Sequence, residues 1–269
     1  MTKALQGKTI IVTRAAEQAA EFIALLEDSC ARVVHIPSIK FVPPDSWDEC
    51  DGAIASLADY DWLVLTSSNG VSFFTRRLLE KGKQLSDLKN LSIAAVGPGT
   101  EAALQQLGLD VDVVPEIFRG EGLVAAFQKT GLKEHRVLLL KPQKSRAVLH
   151  DGLADLGARV TAVSVYKTLP VSAAETQSDL RKLNGDTIDV LTFTSPSTVR
   201  SFMNLCGEEK VHGWVDRGCK VAAIGGVTEA ALAGYDLPVS IQPERSTIPD
   251  LVKEIGEYFS CKQNSKTTC

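Results

Sequence analysis

Short aliphatic and β-branched runs alternate with longer stretches of helical periodicity along the whole chain. The runs are Thr9–Thr13, Val33–Ile36, Trp62–Leu65, Ile93–Val96, Val111–Val114, Val137–Leu140, Val160–Val163, Val190–Phe193, Val221–Ile224 and Val239–Ile241. Ten short strands separated by amphipathic helices predict an α/β protein with mainly parallel sheets.

The pattern also repeats. Asp61-Trp62-Leu63-Val64-Leu65-Thr66-Ser67 aligns with Asp189-Val190-Leu191-Thr192-Phe193-Thr194-Ser195, 128 positions later. Ala94 to Gly97 and Thr100 to Leu104 recur as Ala222 to Gly225 and Thr228 to Leu232 at the same offset of 128, as do Pro115-Glu116 and Leu123-Val124. Upstream, Ala31-Arg32-Val33 matches Ala158-Arg159-Val160, and Arg14 falls opposite Lys141, both at an offset of 127. A register held through so many positions marks two tandem copies of one segment.

In each copy the first strand–helix–strand stretch is followed by an extended piece, Ser38 to Pro44 and Ser164 to Pro170. Prolines are expected to stop both pieces from continuing as ordinary core strands, so they read as linkers. The polar tail from Ser260 to Cys269 has no periodicity and is expected to fray.

Composition narrows the function classes. The 269 residues favour two modest domains or one large one, and 29 Lys and Arg against 33 Asp and Glu leave a net charge of -4 with no block of like charge. Neither a nucleic-acid groove nor a polybasic membrane surface is indicated. The longest apolar stretches fall far short of the ~18 residues of a membrane helix, and no secretory leader is evident, so a cytoplasmic protein is expected. The cysteines Cys30, Cys50, Cys206, Cys219, Cys261 and Cys269 form no Cys-x-x-Cys pair and stand at no metal-ligand spacing from the four histidines. They read as free thiols.

In an open parallel sheet, ligands bind beyond the carboxyl ends of strands, where the following helices present unpaired N–H groups. Six such loops can be read: Thr13-Arg14-Ala15, Thr66-Ser67-Ser68-Asn69, Gly97-Pro98-Gly99-Thr100, Lys141-Pro142-Gln143-Lys144, Thr194-Ser195-Pro196-Ser197 and Gly225-Gly226-Val227-Thr228. Each loop alone can be explained as a helix cap. Together they supply many amide-rich helix starts, which suits a ligand with several negative charges. No P-loop spacing occurs, no Gly-x-Gly-x-x-Gly follows the first strand, and no Gly-x-Ser-x-Gly elbow is present.

From Thr9 to about Phe259 the sequence resembles the uroporphyrinogen-III synthase family. The resemblance rests on Val12-Thr13-Arg14, Leu65-Thr66-Ser67 with Val71, Val96-Gly97-x-x-Thr100, Gly120-Glu121-Gly122-Leu123, Val165-Tyr166-Lys167-Thr168, Phe193-Thr194-Ser195-Pro196-Ser197 with Val199, and Ile224-Gly225-x-x-Thr228. It implies two doubly wound α/β domains of similar topology joined by a two-stranded linker: 1–37 with 169–269, then 41–164, with 38–40 and 165–168 as the hinge. The implied activity cyclises hydroxymethylbilane to uroporphyrinogen III, with loss of water and inversion of the fourth ring through a spiro intermediate. No metal or cofactor is implied, nor a nucleic-acid or membrane partner. A monomer taking its substrate by transient hand-over from the preceding enzyme is expected.

This substrate bears an acetate and a propionate on every ring, which agrees with the anion-binding loops. Thr66, Ser67, Gly97, Thr100, Ser195, Ser197, Gly225 and Thr228 would hold carboxylates, with Arg14 and Lys141 as cations. Tyr166 matches the family's Val-Tyr-x-Thr pattern and is the candidate for donating a hydrogen bond to the departing hydroxyl; the other copy has Ile39 there. Packing of the ring on the linker is the other role open to it. Two other functions stay open: a non-catalytic hinged binding protein for a polyanion, and a nucleotide-dependent enzyme on a doubly wound fold.

Overall fold

The computed structural model describes residues 4–181, 183 and 187–264. In chain order the first half carries β1 (Thr9–Val12), α1 (Ala16–Asp28), β2 (Arg32–His35), β3 (Ile39–Val42), α2 (Asp48–Ala55), β4 (Trp62–Leu65), α3 (Ser68–Glu80), β5 (Ser92–Ala95), α4 (Pro98–Gln105) and α5 (Gly120–Thr130). The second carries β6 (Arg136–Pro142), α6 (Val148–Asp155), β7 (Arg159–Pro170), α7 (Ala173–Arg181), β8 (Val190–Phe193), α8 (Pro196–Cys206), α9 (Glu208–Asp216), β9 (Lys220–Ala223), α10 (Gly226–Ala233) and α11 (Ile248–Asn264). The chain divides into two compact units, Met1–Lys40 with Leu169–Cys269, and Phe41–Thr168. We call them the first and second unit.

The first unit is built on a four-stranded sheet, β2-β1-β8-β9, and the second on a five-stranded one, β3-β7-β6-β4-β5. The repeat explains both orders. Thr9 pairs with Arg32 in the first unit as Arg136 pairs with Arg159 in the second, and Val190 with Lys220 as Trp62 with Ser92. These are the same parallel pairings at the offsets read from the sequence. Each unit therefore joins one parallel pair from the first copy to one from the second, β1-β2 with β8-β9 and β4-β5 with β6-β7. A carboxylate steadies the equivalent strand start in both: Asp189 accepts the Thr9 N–H at 2.9 Å, and Asp61 accepts the Arg136 N–H at 2.7 Å.

The inner strands β1, β4 and β8 are buried at every position, which is why they read as unbroken apolar runs instead of alternating ones. Alternate residues still serve opposite faces. Ile11 packs with Phe193, Phe202 and Trp214, while Ile10 and Val12 pack with Phe22, Leu26 and Ile255. In the second unit Leu63 and Leu138 meet Phe74 on one face, and Trp62 and Leu139 meet Phe127 on the other. The Trp62 and Phe127 rings stand edge to face at 4.9 Å. Burying each such side chain contributes roughly 1.5–3 kcal/mol.

Three expectations change. The runs Val111–Val114 and Val239–Ile241 make only single bridges, Ala94 to Val113 and Ala222 to Ile241, instead of strands. Pro115 and Pro243 follow closely and have no N–H to extend a ladder. The pieces read as linkers belong to strands of the second unit's sheet: β3 covers Ile39–Val42, and β7 runs without a break from Arg159 to Pro170. Prolines stand at or just beyond their ends, so they terminate these strands without preventing them. Finally, α11 continues to Asn264 instead of fraying from Ser260; residues 265–269 lie outside the described residues. Cys30, Cys50, Cys206 and Cys219 are free thiols; Cys269 and the Cys261 side chain lie outside the described residues. Among the described residues no helix is long and apolar enough to cross a membrane, and no cluster of His, Cys, Asp and Glu could hold a metal.

Candidate active site

In both units the first turns of helices follow directly from strand ends. Ser67 caps α3 by accepting the Gly70 N–H at 3.1 Å, and Ser195 caps α8 by accepting the Thr198 N–H at 3.2 Å. Such a cap contributes ~1 kcal/mol. Gly97 and Gly225 cap α4 and α10 with extended backbones. A Cβ on Gly225 would meet Ser246 Oγ, so that hydroxyl would have to turn away to admit a side chain. The matching Cβ on Gly97 would stand 3.3 Å from Phe118.

The second unit contains a cavity of about 490 Å³ at the carboxyl ends of β4, β5 and β6. Thr66, Lys141 and Tyr166 line it, and Ser67 reaches it through Tyr166, whose hydroxyl lies 3.0 Å from Ser67 Oγ. Thr66 is fixed by donating to the Leu140 carbonyl at 3.1 Å. Gly97 and Thr100 are not in the wall; Phe118 covers Gly97, and Thr100 is buried in α4. The cavity also has Glu121, Arg146 and His150 in its wall, which the sequence reading did not select. Glu121 was visible only as part of the Gly120-Glu121-Gly122-Leu123 string.

Tyr166 is held on several sides. Its ring stacks on Phe73 at 5.8 Å and meets Phe41 edge-on at 5.6 Å. Its carbonyl accepts the Gln143 N–H at 2.8 Å, and Asp45 bonds the side chains of both Gln143 and Lys167. The hydrogen bonds from Gln143 and Lys167 hold the Asp45 carboxyl below its usual pKa. Burial pushes the Tyr166 phenol above its ordinary pKa, with the Ser67 bond opposing, so the group is a neutral donor at physiological pH. Ser67 Oγ accepts from Gly70, and either hydroxyl of the Ser67–Tyr166 pair can donate to the other; when Ser67 donates, the phenol proton is free for a substrate.

The first unit gathers Arg14, Ser195, Ser197, Gly225 and Thr228 at the carboxyl ends of β1, β8 and β9. Ser195 and Ser197 hydroxyls are 2.9 Å apart, and Thr228 is buried. Arg14 is held through its backbone, where the His35 Nε2–H donates to the Arg14 carbonyl at 2.9 Å. Its buried Nε has no hydrogen-bond partner among the described residues. Burial draws its pKa down, with Glu21 opposing, so this charge carries a desolvation cost that an added carboxylate would offset.

Each unit of this duplicated α/β scaffold carries hydroxyls, helix-start amides and a cation at its strand ends, and the second adds a shielded phenol beside a cavity, the equipment of a small-molecule enzyme. The family model for uroporphyrinogen-III synthase HemD matches residues 20–253. A uroporphyrinogen-III synthase from Synechococcus elongatus is 32% identical across 94% of this chain and 96% of its own length, and one from Chlorobaculum parvum is 30% identical across 93% and 98%. Solved structures of uroporphyrinogen III synthases share the fold: a mutant from Thermus thermophilus has a TM-score of 0.63 at 19% identity, covering 95% of this chain and 100% of its own. That from Helicobacter pylori has a TM-score of 0.63 at 16% identity, covering 95% and 99%. The chain belongs to the uroporphyrinogen-III synthase family, and it is an enzyme of tetrapyrrole biosynthesis that cyclises hydroxymethylbilane.

Proposed function

We propose that cyclisation here is carried mainly by positioning, with Tyr166 as the proton donor. The observation that carries this reading is the buried phenol, bonded to Ser67 at 3.0 Å, in the wall of a cavity that also holds Lys141 and Thr66. The C–O bond of the terminal hydroxymethyl group breaks with its electron pair on oxygen, and the phenol proton completes water. The pyrrole nitrogen supplies electrons to the methylene carbon left behind, making that ring cationic. Attack by the substituted carbon of the fourth ring gives the spiro intermediate. The bond joining that substituted carbon to the methylene of the third ring then breaks, leaving the third ring cationic; the free α-carbon of the fourth ring attacks the same methylene, and the proton this carbon loses returns to the phenolate.

The strand-end groups of both units hold the carboxylate arms: Thr66, Ser67, Gly97, Thr100 and Lys141 from one, Arg14, Ser195, Ser197, Gly225 and Thr228 from the other. Residues 38–40 and 165–168 act as the hinge. The enzyme works as a cytoplasmic monomer that receives hydroxymethylbilane from the preceding enzyme, without a metal or cofactor. A non-catalytic polyanion-binding role is not favoured by the family match.

The test is product analysis. Purified chain with fresh hydroxymethylbilane, free of added metal and nucleotide, should give uroporphyrinogen III over isomer I. A product mixture matching a protein-free control would reject the reading.

A further inference from the structure

One group in the cavity wall has the wrong sign for the carboxylate arms. Glu121 lies in the first turn of α5, and its Oε2 is buried with no hydrogen-bond partner among the described residues. Two guanidinium groups form ion pairs with this 41%-exposed side chain but stay beyond hydrogen-bond distance: Arg119 Nε stands 3.9 Å from Oε2 and Arg146 Nη1 stands 3.6 Å from Oε1. Both arginines are largely exposed. A buried carboxylate oxygen that lacks a hydrogen bond calls for a donor. Ionised hydroxymethylbilane offers only two kinds, its pyrrole N–H groups and its one hydroxyl.

Resting on the proposed cyclisation, we infer that Glu121 accepts the N–H of a pyrrole ring seated in this cavity. Lys141, Arg146 and His150 in the same wall meet that ring's acid arms. Departure of the hydroxyl leaves positive charge on the pyrrole nitrogen. A carboxylate at that N–H stabilises the cation more than the neutral ring, so Glu121 acts on turnover as well as on orientation. It forms no bond to carbon and keeps no proton. A local contrast supports the assignment: the equivalent position in the other copy is Pro249, which has neither charge nor acceptor side chain.

Glu121→Gln keeps the shape and one acceptor oxygen but removes the charge. It should lower kcat by roughly 10-fold or more, with KM changed less than about threefold and the melting temperature unmoved. Glu121→Ala should lose more. Arg146→Ala, made alongside, should show the opposite split, a raised KM with kcat nearly kept. A Glu121→Gln enzyme within twofold of the unmodified kcat, or an Arg146→Ala enzyme reproducing the whole kcat loss, would overturn the inference. The unmodified chain separates the two readings. If it makes isomer III normally, a silent Glu121→Gln defeats only the role of Glu121; if it makes only isomer I, the cyclisation reading falls and takes this inference with it.

Discussion

The two units share four equivalent parallel strands at the same register, the second adding β3, but they differ in what their strand ends hold. Where the second unit has Tyr166, Ala162 and Gly120, the first has Ile39, His35 and Ile248 at the duplicated positions. His35 uses its ring to hold the Arg14 carbonyl, and Ile248 is buried. Ala162 and Gly120 leave room instead, and both line the cavity. Helix length adds to this: α1 begins at Ala16, while α6 begins at Val148 and ends at the position matching the end of α1. Five residues of helix have become loop beside the cavity. Duplication preserved the strand pairing, while smaller side chains and a shorter helix left a cavity in the second unit where larger side chains stand in the first.

The sharpest way to break this comparison is to remove the phenol. Tyr166→Phe should lower kcat about 100-fold with KM almost unchanged, measured as the initial rate of uroporphyrinogen III formation. Unchanged kcat would make Tyr166 a packing residue, as Ile39 is in the first unit. The same donor fixes the alkaline limb of the pH profile. A phenol must be protonated to donate, and burial raises its pKa, so the fall in kcat should lie above pH 10 and be absent in Tyr166→Phe.

The cations offer a smaller contrast. Arg14→Ala should raise KM about 10-fold, because a partly buried guanidinium whose Nε lacks a partner among the described residues is lost to the substrate carboxylate, while Lys141→Ala should raise it only two- to threefold. Equal effects would show that burial of Arg14 does not concentrate affinity there. Stability of Arg14→Ala in urea should be unchanged or higher, since the buried charge is removed.

The smallest contrast is between the two serine caps. Ser67→Ala and Ser195→Ala should each cost ~1 kcal/mol in urea unfolding. Ser67→Ala should in addition slow turnover a few-fold by releasing the Tyr166 hydroxyl. Loss of turnover in Ser195→Ala of the same size would remove the distinction between the units.

Much of the fold was legible because duplication leaves evidence in register, and register fixes which strands are equivalent. The runs Trp62–Leu65 and Val190–Phe193 coincide with β4 and β8, since strands covered on both faces must be apolar throughout. The bridges at Val113 and Ile241 were overread, because aliphatic character signals burial and does not count hydrogen bonds. The site was legible as loops but not as a cavity. Glu121, Arg146 and His150 share a cavity wall with Tyr166, beside which α6 starts late and Gly120 and Ala162 are small. Nothing local in the sequence reports such a subtraction of volume.

The exchange of halves between copies has a consequence for synthesis on the ribosome. The second unit has all of its strands once Thr168 has been made, and it can close while translation continues. By contrast β1, which pairs Ile10 with Val190, must wait some 180 residues for β8. During that interval one edge of β1 stays open to wrong partners, a delay that grows with the loop to be closed and falls entirely on the amino-terminal lobe.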